Sequence, residues 1–209
     1  MVICGYCLDE AFINEETERK RGSNWLTQLK EYDADSFAAG ILTAYFVQKW
    51  DDDIKINLAI FDTMFLANYF CFKIFAEKTS RNFDNYLAQD IAKFDHPHPG
   101  IRMYYTNMVF TYWLLNYRGD IEAIIPIVNS GCHVIIAYEK MVLNKDILKE
   151  CYYTIGFTEK GVQHVMNLNN QWQELIDEYN EYAYIPIQKW ENVDSMLFSV
   201  DKNGDFFLK

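Results

Sequence analysis

Apolar residues recur at helical spacing over most of the chain. Leu8 to Arg21 has acids in its first turns and Arg19-Lys20-Arg21 at its end, matching the helix macrodipole, and Gly22 follows at the C-terminal cap position. Asn24 is placed to cap a short helix through Lys30. Asp35 or Ser36 then opens a third, in which Phe37, Ile41 and Tyr45 share one face and Trp50 stands near the end. The stretch from Asp53 to about Glu77 is apolar nearly all round, which predicts a central helix. Ser80 can cap a helix carrying Phe83, Leu87 and Ile91. Asp95-His96-Pro97-His98-Pro99-Gly100 reads as a loop, because two prolines and a glycine disfavour helix. Ile101 to Tyr117, Ile121 to about Leu143 and Thr158 to Tyr182 complete the helical set, with Pro126 early enough in its helix to be tolerated.

The pattern changes at the end of the chain. Ser195 to Val200 and Asp205 to Leu208 flank Asp201-Lys202-Asn203-Gly204, and Asn-Gly between short apolar runs predicts a β-hairpin over 195–208. No low-complexity tract or Gly/Ser linker divides the sequence. The expectation is a mainly α single domain over residues 1–209, helical across 8–182. Its architecture is a multi-helix bundle or a short helical-repeat array, closed by the C-terminal β-hairpin.

The choice between bundle and array turns on a faint repeat at an offset of 67. Tyr45, Phe46, Trp50, Asp53, Ile54 and Lys73 align with Tyr112, Trp113, Tyr117, Asp120, Ile121 and Lys140. Each copy has an aromatic-rich helix, a short polar turn and an aspartate opening the next helix. This is either a duplicated helical hairpin or the chance agreement of two amphipathic helix pairs; two copies fall short of the three or so that repeat arrays need.

Composition adds class. Half of the 209 residues are hydrophobic and 17% aromatic, which excludes disorder as the main state. With 30 acidic against 19 basic side chains the net charge is −11, the reverse of what phosphate binding needs, so no nucleic-acid partner is expected and any charge-steered partner is basic. The first ten residues lack a signal-peptide pattern, and the cysteines are odd in number (Cys4, Cys7, Cys71, Cys132, Cys151), so a cytoplasmic protein is expected. Ile54 to Ala76 and Ile124 to Leu143 approach the length of membrane spans. Polar and charged residues interrupt both, which predicts buried helices and no membrane partner.

The charge excess is concentrated. Residues 31 to 62 carry a net −5 and residues 171 to 205 a net −6. Within the second segment Glu174, Asp177, Glu178 and Glu181 fall at i, i+3, i+4 and i+7, on one helical face with no basic residue to offset them. Such like-charge spacing costs roughly a few tenths of a kcal/mol per pair, and acids in the last turns oppose the helix dipole. Stability does not recommend the stripe. It is a solvated face that aids solubility or a docking surface for a basic partner. Asp51 and Asp52 raise the same choice, whereas Asp53 is placed as an N-cap.

Other candidates are weaker. Cys4-Gly5-Tyr6-Cys7 has only three residues before it and helical pattern after it, unlike a redox motif on a βαβ unit, and no second Cys-x-x-Cys completes a zinc site. His96 and His98, with Asp95, can contribute to a metal site, but further ligands are missing nearby; a stiff interhelical connection is the plainer reading. His133 and His164 fall within helical patterns. Asp51-Asp52-Asp53 is similar to the Asp-rich magnesium motif of isoprenoid synthases, yet three consecutive acids at a helix junction diverge, and no second such motif exists. Neither a phosphate loop, a Gly-x-Ser-x-Gly elbow nor His-Glu-x-x-His is present.

A small, acidic, aromatic-rich helical chain of this kind resembles the immunity proteins of bacterial polymorphic-toxin systems, and Asn116-Tyr117-Arg118-Gly119-Asp120-Ile121-Glu122 is similar to helix–turn–helix junctions of some helical families among them. The resemblance is architectural, spans the helical part and carries no site residue across. It implies a non-enzymatic, cofactor-free intracellular inhibitor that occludes a basic partner, such as a toxin nuclease. The contact residues expected from charge are Glu174, Asp177, Glu178, Glu181, Asp51 and Asp52. Two other readings stand beside it: a helical metal-binding protein or enzyme using the His96/His98 loop, and a viral or mobile-element inhibitor of host machinery.

Overall fold

The computed structural model describes residues 25–79, 94, 96–144, 156–181, 198–200 and 206–208. Among them are five long helices: α1 (Trp25–Val47), α2 (Ile54–Thr79), α3 (Pro99–Arg118), α4 (Ile121–Met141) and α5 (Glu159–Asn180). The chain is mainly α, as its periodicity predicts. The helices expected over Leu8–Arg21 and from Ser80 lie outside the described residues, as do Cys4, Cys7, Cys151 and Asp95. Phe198–Val200 and Phe206–Leu208 pair antiparallel, with Ser199 opposite Phe207; the Asn-Gly turn of the expected hairpin also falls outside the described residues.

The helix starts follow from local chemistry. Asp53 opens α2 by accepting the Lys55 N–H at 2.9 Å, Asp120 opens α4 by accepting the N–H groups of Glu122 and Ala123, and the Thr158 hydroxyl accepts the Gly161 N–H ahead of α5. Between α3 and α4 the chain reverses in two residues. Gly119 takes the left-handed conformation (φ 68°) and its N–H bonds the Leu115 carbonyl at 2.7 Å.

Three expectations are corrected. The helices anticipated on either side of Glu31–Asp35 are one continuous α1. Asp35 caps nothing: its carboxylate takes Arg102 of α3, and Ser36 is buried inside the helix. The loop over 95–100 is shorter than expected, because Pro99 occupies the first helical position, where its missing N–H costs nothing, and the buried His98 ring caps α3 by accepting the Gly100 N–H at 3.0 Å. Expected to be apolar and enclosed nearly all round, α2 is buried on one side only, and α3 is the more enclosed helix. Thirteen of the twenty residues of α3 are buried, whereas α2 leaves Ile54, Ile56, Phe70 and Ile74 exposed.

The contacts between helices have a regular register. Asp35 of α1 meets Arg102 of α3, 67 residues on; Asp62 of α2 meets Ser130 of α4, 68 on; Lys73 meets Glu139, 66 on. Residue numbers rise together across each pair, so α1 runs parallel to α3 and α2 parallel to α4. Across α2 and α3 the numbers run oppositely: Asn68 meets Asn107, Phe65 meets Phe110 and Phe72 meets Arg102. The segments aligned at the 67-residue offset thus lie side by side, as in stacked helical hairpins. Also parallel to α1 runs α5, through Gln28 to His164 and Tyr32 to Asn169, 136 and 137 residues apart.

Glycines set two of these approaches. The Trp113 indole of α3 lies across Gly40 of α1, and the Phe65 ring of α2 lies against Gly131 of α4; a Cβ at either position would come within 2.8 Å and 2.6 Å of the ring. The one described helix long and apolar enough to cross a membrane is α4, and it turns Ile124, Ile127, Val128, Cys132, Ile135 and Ile136 into the core.

Candidate interaction surface

The C-terminal half of α5 buries Trp172, Leu175 and Ile176 and turns the opposite face outward. Glu174, Asp177 and Glu181 are all exposed on it, Glu181 one residue beyond the helix; the Glu178 side chain is outside the described residues. The last turn of α5 has no basic residue to oppose the carbonyl end of its dipole.

Asp51 and Asp52 lie in the turn between α1 and α2, with different duties. Asn57, buried in α2, accepts the Asp51 N–H at 2.9 Å and donates to the Asp51 carbonyl at 2.7 Å, while the Asp51 carboxylate accepts the Asp53 N–H. Asp51 and Asp53 therefore hold the turn, and Asp52 is its exposed tip. These bonds oppose the reading of the three acids as a shared magnesium motif, since two of them point at backbone amides.

Arg118 ties this turn to the next one. Its guanidinium lies 4.5 Å from the Trp50 ring, which joins Trp50–Asp53 to the α3–α4 turn. The joint surface carries the acids Asp51, Asp52, Asp53, Asp120 and Glu122, and among them the exposed apolar side chains Ile54, Ile56, Tyr117 and Ile121. Tyr117 is braced by stacking on Trp113 at 5.8 Å. Charge counting alone misses Asp120, Tyr117 and Ile121; the 67-residue offset, which aligns Tyr117 with Trp50 and Ile121 with Ile54, is the signal that finds them. Because α1, α3 and α5 run parallel, their C-terminal ends point the same way. Both predicted acidic groups consequently lie toward one end of the molecule.

The histidines part company. His98 is buried with Nδ1 committed to the α3 cap, whereas His96 is exposed with its ring 3.1 Å from Glu31. Among the described residues no group of three or more His, Cys, Asp or Glu side chains is placed to hold a metal.

Interior polar groups are mostly saturated. Arg102 donates to both oxygens of Asp35 at 2.7 and 2.8 Å and reaches Glu31 at 2.6 Å, while the Tyr105 hydroxyl also donates to Asp35. Burial alone would loosen the Arg102 proton, but the Asp35 hydrogen bonds, Tyr105 and the two carboxylate charges more than reverse this. Between α2 and α4, Glu139 accepts from the Tyr69 hydroxyl and pairs with Lys73 at 3.4 Å. In each network one carboxylate takes a tyrosine and a cation from the helix aligned with its own. Asp35 has both oxygens engaged, whereas both contacts of Glu139 fall on Oε1.

Asp33 differs, since burial pushes its carboxyl from the ordinary 3.8 up to about 6. A raised carboxylate value means that the folded state binds the proton more tightly than the unfolded chain, so Asp33 lowers stability above pH 6 and this loss is relieved as pH falls toward 3.8. Asp33→Asn should then be more stable than wild type at pH 7.5 by on the order of 2 kcal/mol, with the gap closing by about pH 4. Urea denaturation of both proteins at the two pH values measures this; a gap that is absent or widens on acidification contradicts it.

No protein-family model matches the chain, and no match is found among curated proteins or solved structures.

Proposed function

We propose that this protein is a non-catalytic binding inhibitor acting inside the cell, an immunity-type protein that occludes a basic partner such as a toxin nuclease. The proposal also takes residues 195–208 as a complete β-hairpin. The observation that carries the reading is the gathering of both acidic groups toward one end, where Tyr117, Ile54 and Ile121 stand exposed between carboxylates. Apolar anchors amid an excess of carboxylates suit a partner with Lys and Arg around an apolar centre, because charge speeds encounter and desolvated anchors hold the complex.

The contact set is Glu174, Asp177, Glu178, Glu181, Asp51 and Asp52, extended by Tyr117 and Ile121. In the test, Glu174→Lys/Asp177→Lys/Glu181→Lys and, separately, Asp52→Lys are compared with wild type for association with a toxin co-purified from the native host. Asp52 is chosen over Asp51 because it can change without releasing the turn. The expected result is association slowed at least ~10-fold at low salt, with the difference shrinking near 0.5 M salt. Equal rates for all three proteins would remove this surface from the interaction. A partner belonging to host machinery of an infected cell would keep the surface and change only whom it inhibits.

A further inference from the structure

We propose that two copies of this chain pair through α1, helix against helix and antiparallel about a twofold axis. The seam is the uncharged outward face between Ala34 and Gln48. This stands apart from toxin binding, which uses other residues. From Ser36 through Gln48 the helix has no charged residue, in a chain whose residues are 23% charged. The inner side of this segment is Ser36, Ala39 and Thr43, all buried. The outer side presents Phe37, Ile41, Leu42 and Tyr45 at 39, 52, 46 and 55% exposure. Gln28 and Tyr32 of α1 face α5, and at 3.6 residues per turn Ile41 and Tyr45 point away from them. An exposed helical face of more than three turns with no charge marks a contact surface.

The occupant follows from the spacing and the sizes. Positions 34, 38, 41, 45 and 48 alternate steps of four and three, the spacing of a helix–helix seam. In antiparallel register Ala38 meets Ile41 of the partner subunit and Ala34 meets Tyr45 of the partner subunit. Each layer sets a small side chain against a large one, twice through the symmetry. Parallel pairing would stack Tyr45 on its own copy and Ala38 on its own copy, crowding one layer and emptying another. A basic partner would find no acid within the seam to meet its charges. A second copy meets a neutral face with a neutral face, away from the acids that give each chain its net −11.

The test is sedimentation equilibrium of the full chain under reducing conditions, which keep the exposed Cys71 from crosslinking copies. Over roughly 1 to 200 µM the mass should rise from 24.7 kDa toward twice that value. Ile41→Asp, at an exposed position, should weaken pairing at least ~100-fold, since it seats an unpaired carboxylate in each seam. Ala38→Lys/Ile41→Asp should restore it, because in the antiparallel register the new lysine of one copy faces the new aspartate of the other. Circular dichroism melts establish that both variants fold. A wild-type monomer throughout the range, a dimer indifferent to Ile41→Asp, or a double variant that remains monomeric each overturns the proposal. The α5 charge-reversal variant should dimerise like wild type, which separates failure of this interface from failure of the inhibitor reading.

Discussion

Arg102→Ala is expected to destabilise the protein by about 3 kcal/mol, the lower end of what breaking a buried charge network costs. Three of the hydrogen-bonding directions of its guanidinium go to Asp35 and Glu31, and its plane lies 5.1 Å from the Phe72 ring. Truncation leaves two carboxylates facing one another where α1 meets α3, with the Tyr105 hydroxyl beside Asp35 and the His96 ring beside Glu31. Both carboxylates keep partial contact with water, which places the loss at the lower end. Urea denaturation at pH 7 reads the loss, and it should shrink toward pH 3 as the stranded carboxylates take up protons. A loss under ~1 kcal/mol would mean that water already screens the cluster.

The second large effect is at Gly131. A Cβ there falls 2.6 to 2.9 Å from three atoms of the Phe65 ring, which is fully buried and packed on Phe110 at 5.8 Å. Gly131→Val should cost about 3 kcal/mol, the upper end of ordinary overpacking, and Gly131→Ala, which brings the same Cβ, should cost less, because about 1 kcal/mol of helix propensity offsets part of the clash. Adding Phe65→Leu should relieve part of the strain, giving a favourable coupling of about 1 kcal/mol in a double-mutant cycle. A neutral Gly131→Val would show that α2 and α4 are further apart than the ring contact requires.

These two sites also show why the fold was only partly legible. The sequence pattern marks α2 as a central helix and does not single out α3, which contains Arg102, Thr106, Asn107 and Thr111. Each of those polar groups is answered inside the structure: Thr106 and Thr111 donate to carbonyls one turn back, Asn107 accepts from Asn68, and Arg102 finds its carboxylates. Hydropathy counts such residues as surface because it cannot see partners 39 or 67 positions away. The break expected near Asp35 failed for the same reason. A helix-disfavouring aspartate costs a few tenths of a kcal/mol, which a bidentate arginine outweighs.

The surface shows a similar division. Periodicity places Glu174, Asp177 and Glu181 on one face, and that face is exposed. It also groups Phe37, Ile41 and Tyr45, but periodicity does not say whether a face looks inward or outward, and this apolar one looks outward.

The sequence by itself determined the helical class, the caps at Asp53 and Asp120, and the alignment of acids along α5. All of these are set within one or two turns of backbone, where geometry and capping chemistry are local. Only the tertiary structure decided that helices aligned at an offset of 67 lie parallel, that Arg118 joins two acidic turns across Trp50, and that an uncharged face of α1 is left open. Those outcomes depend on which surfaces fit one another and on which polar groups find distant partners, and neither is set by the residues adjacent in the chain.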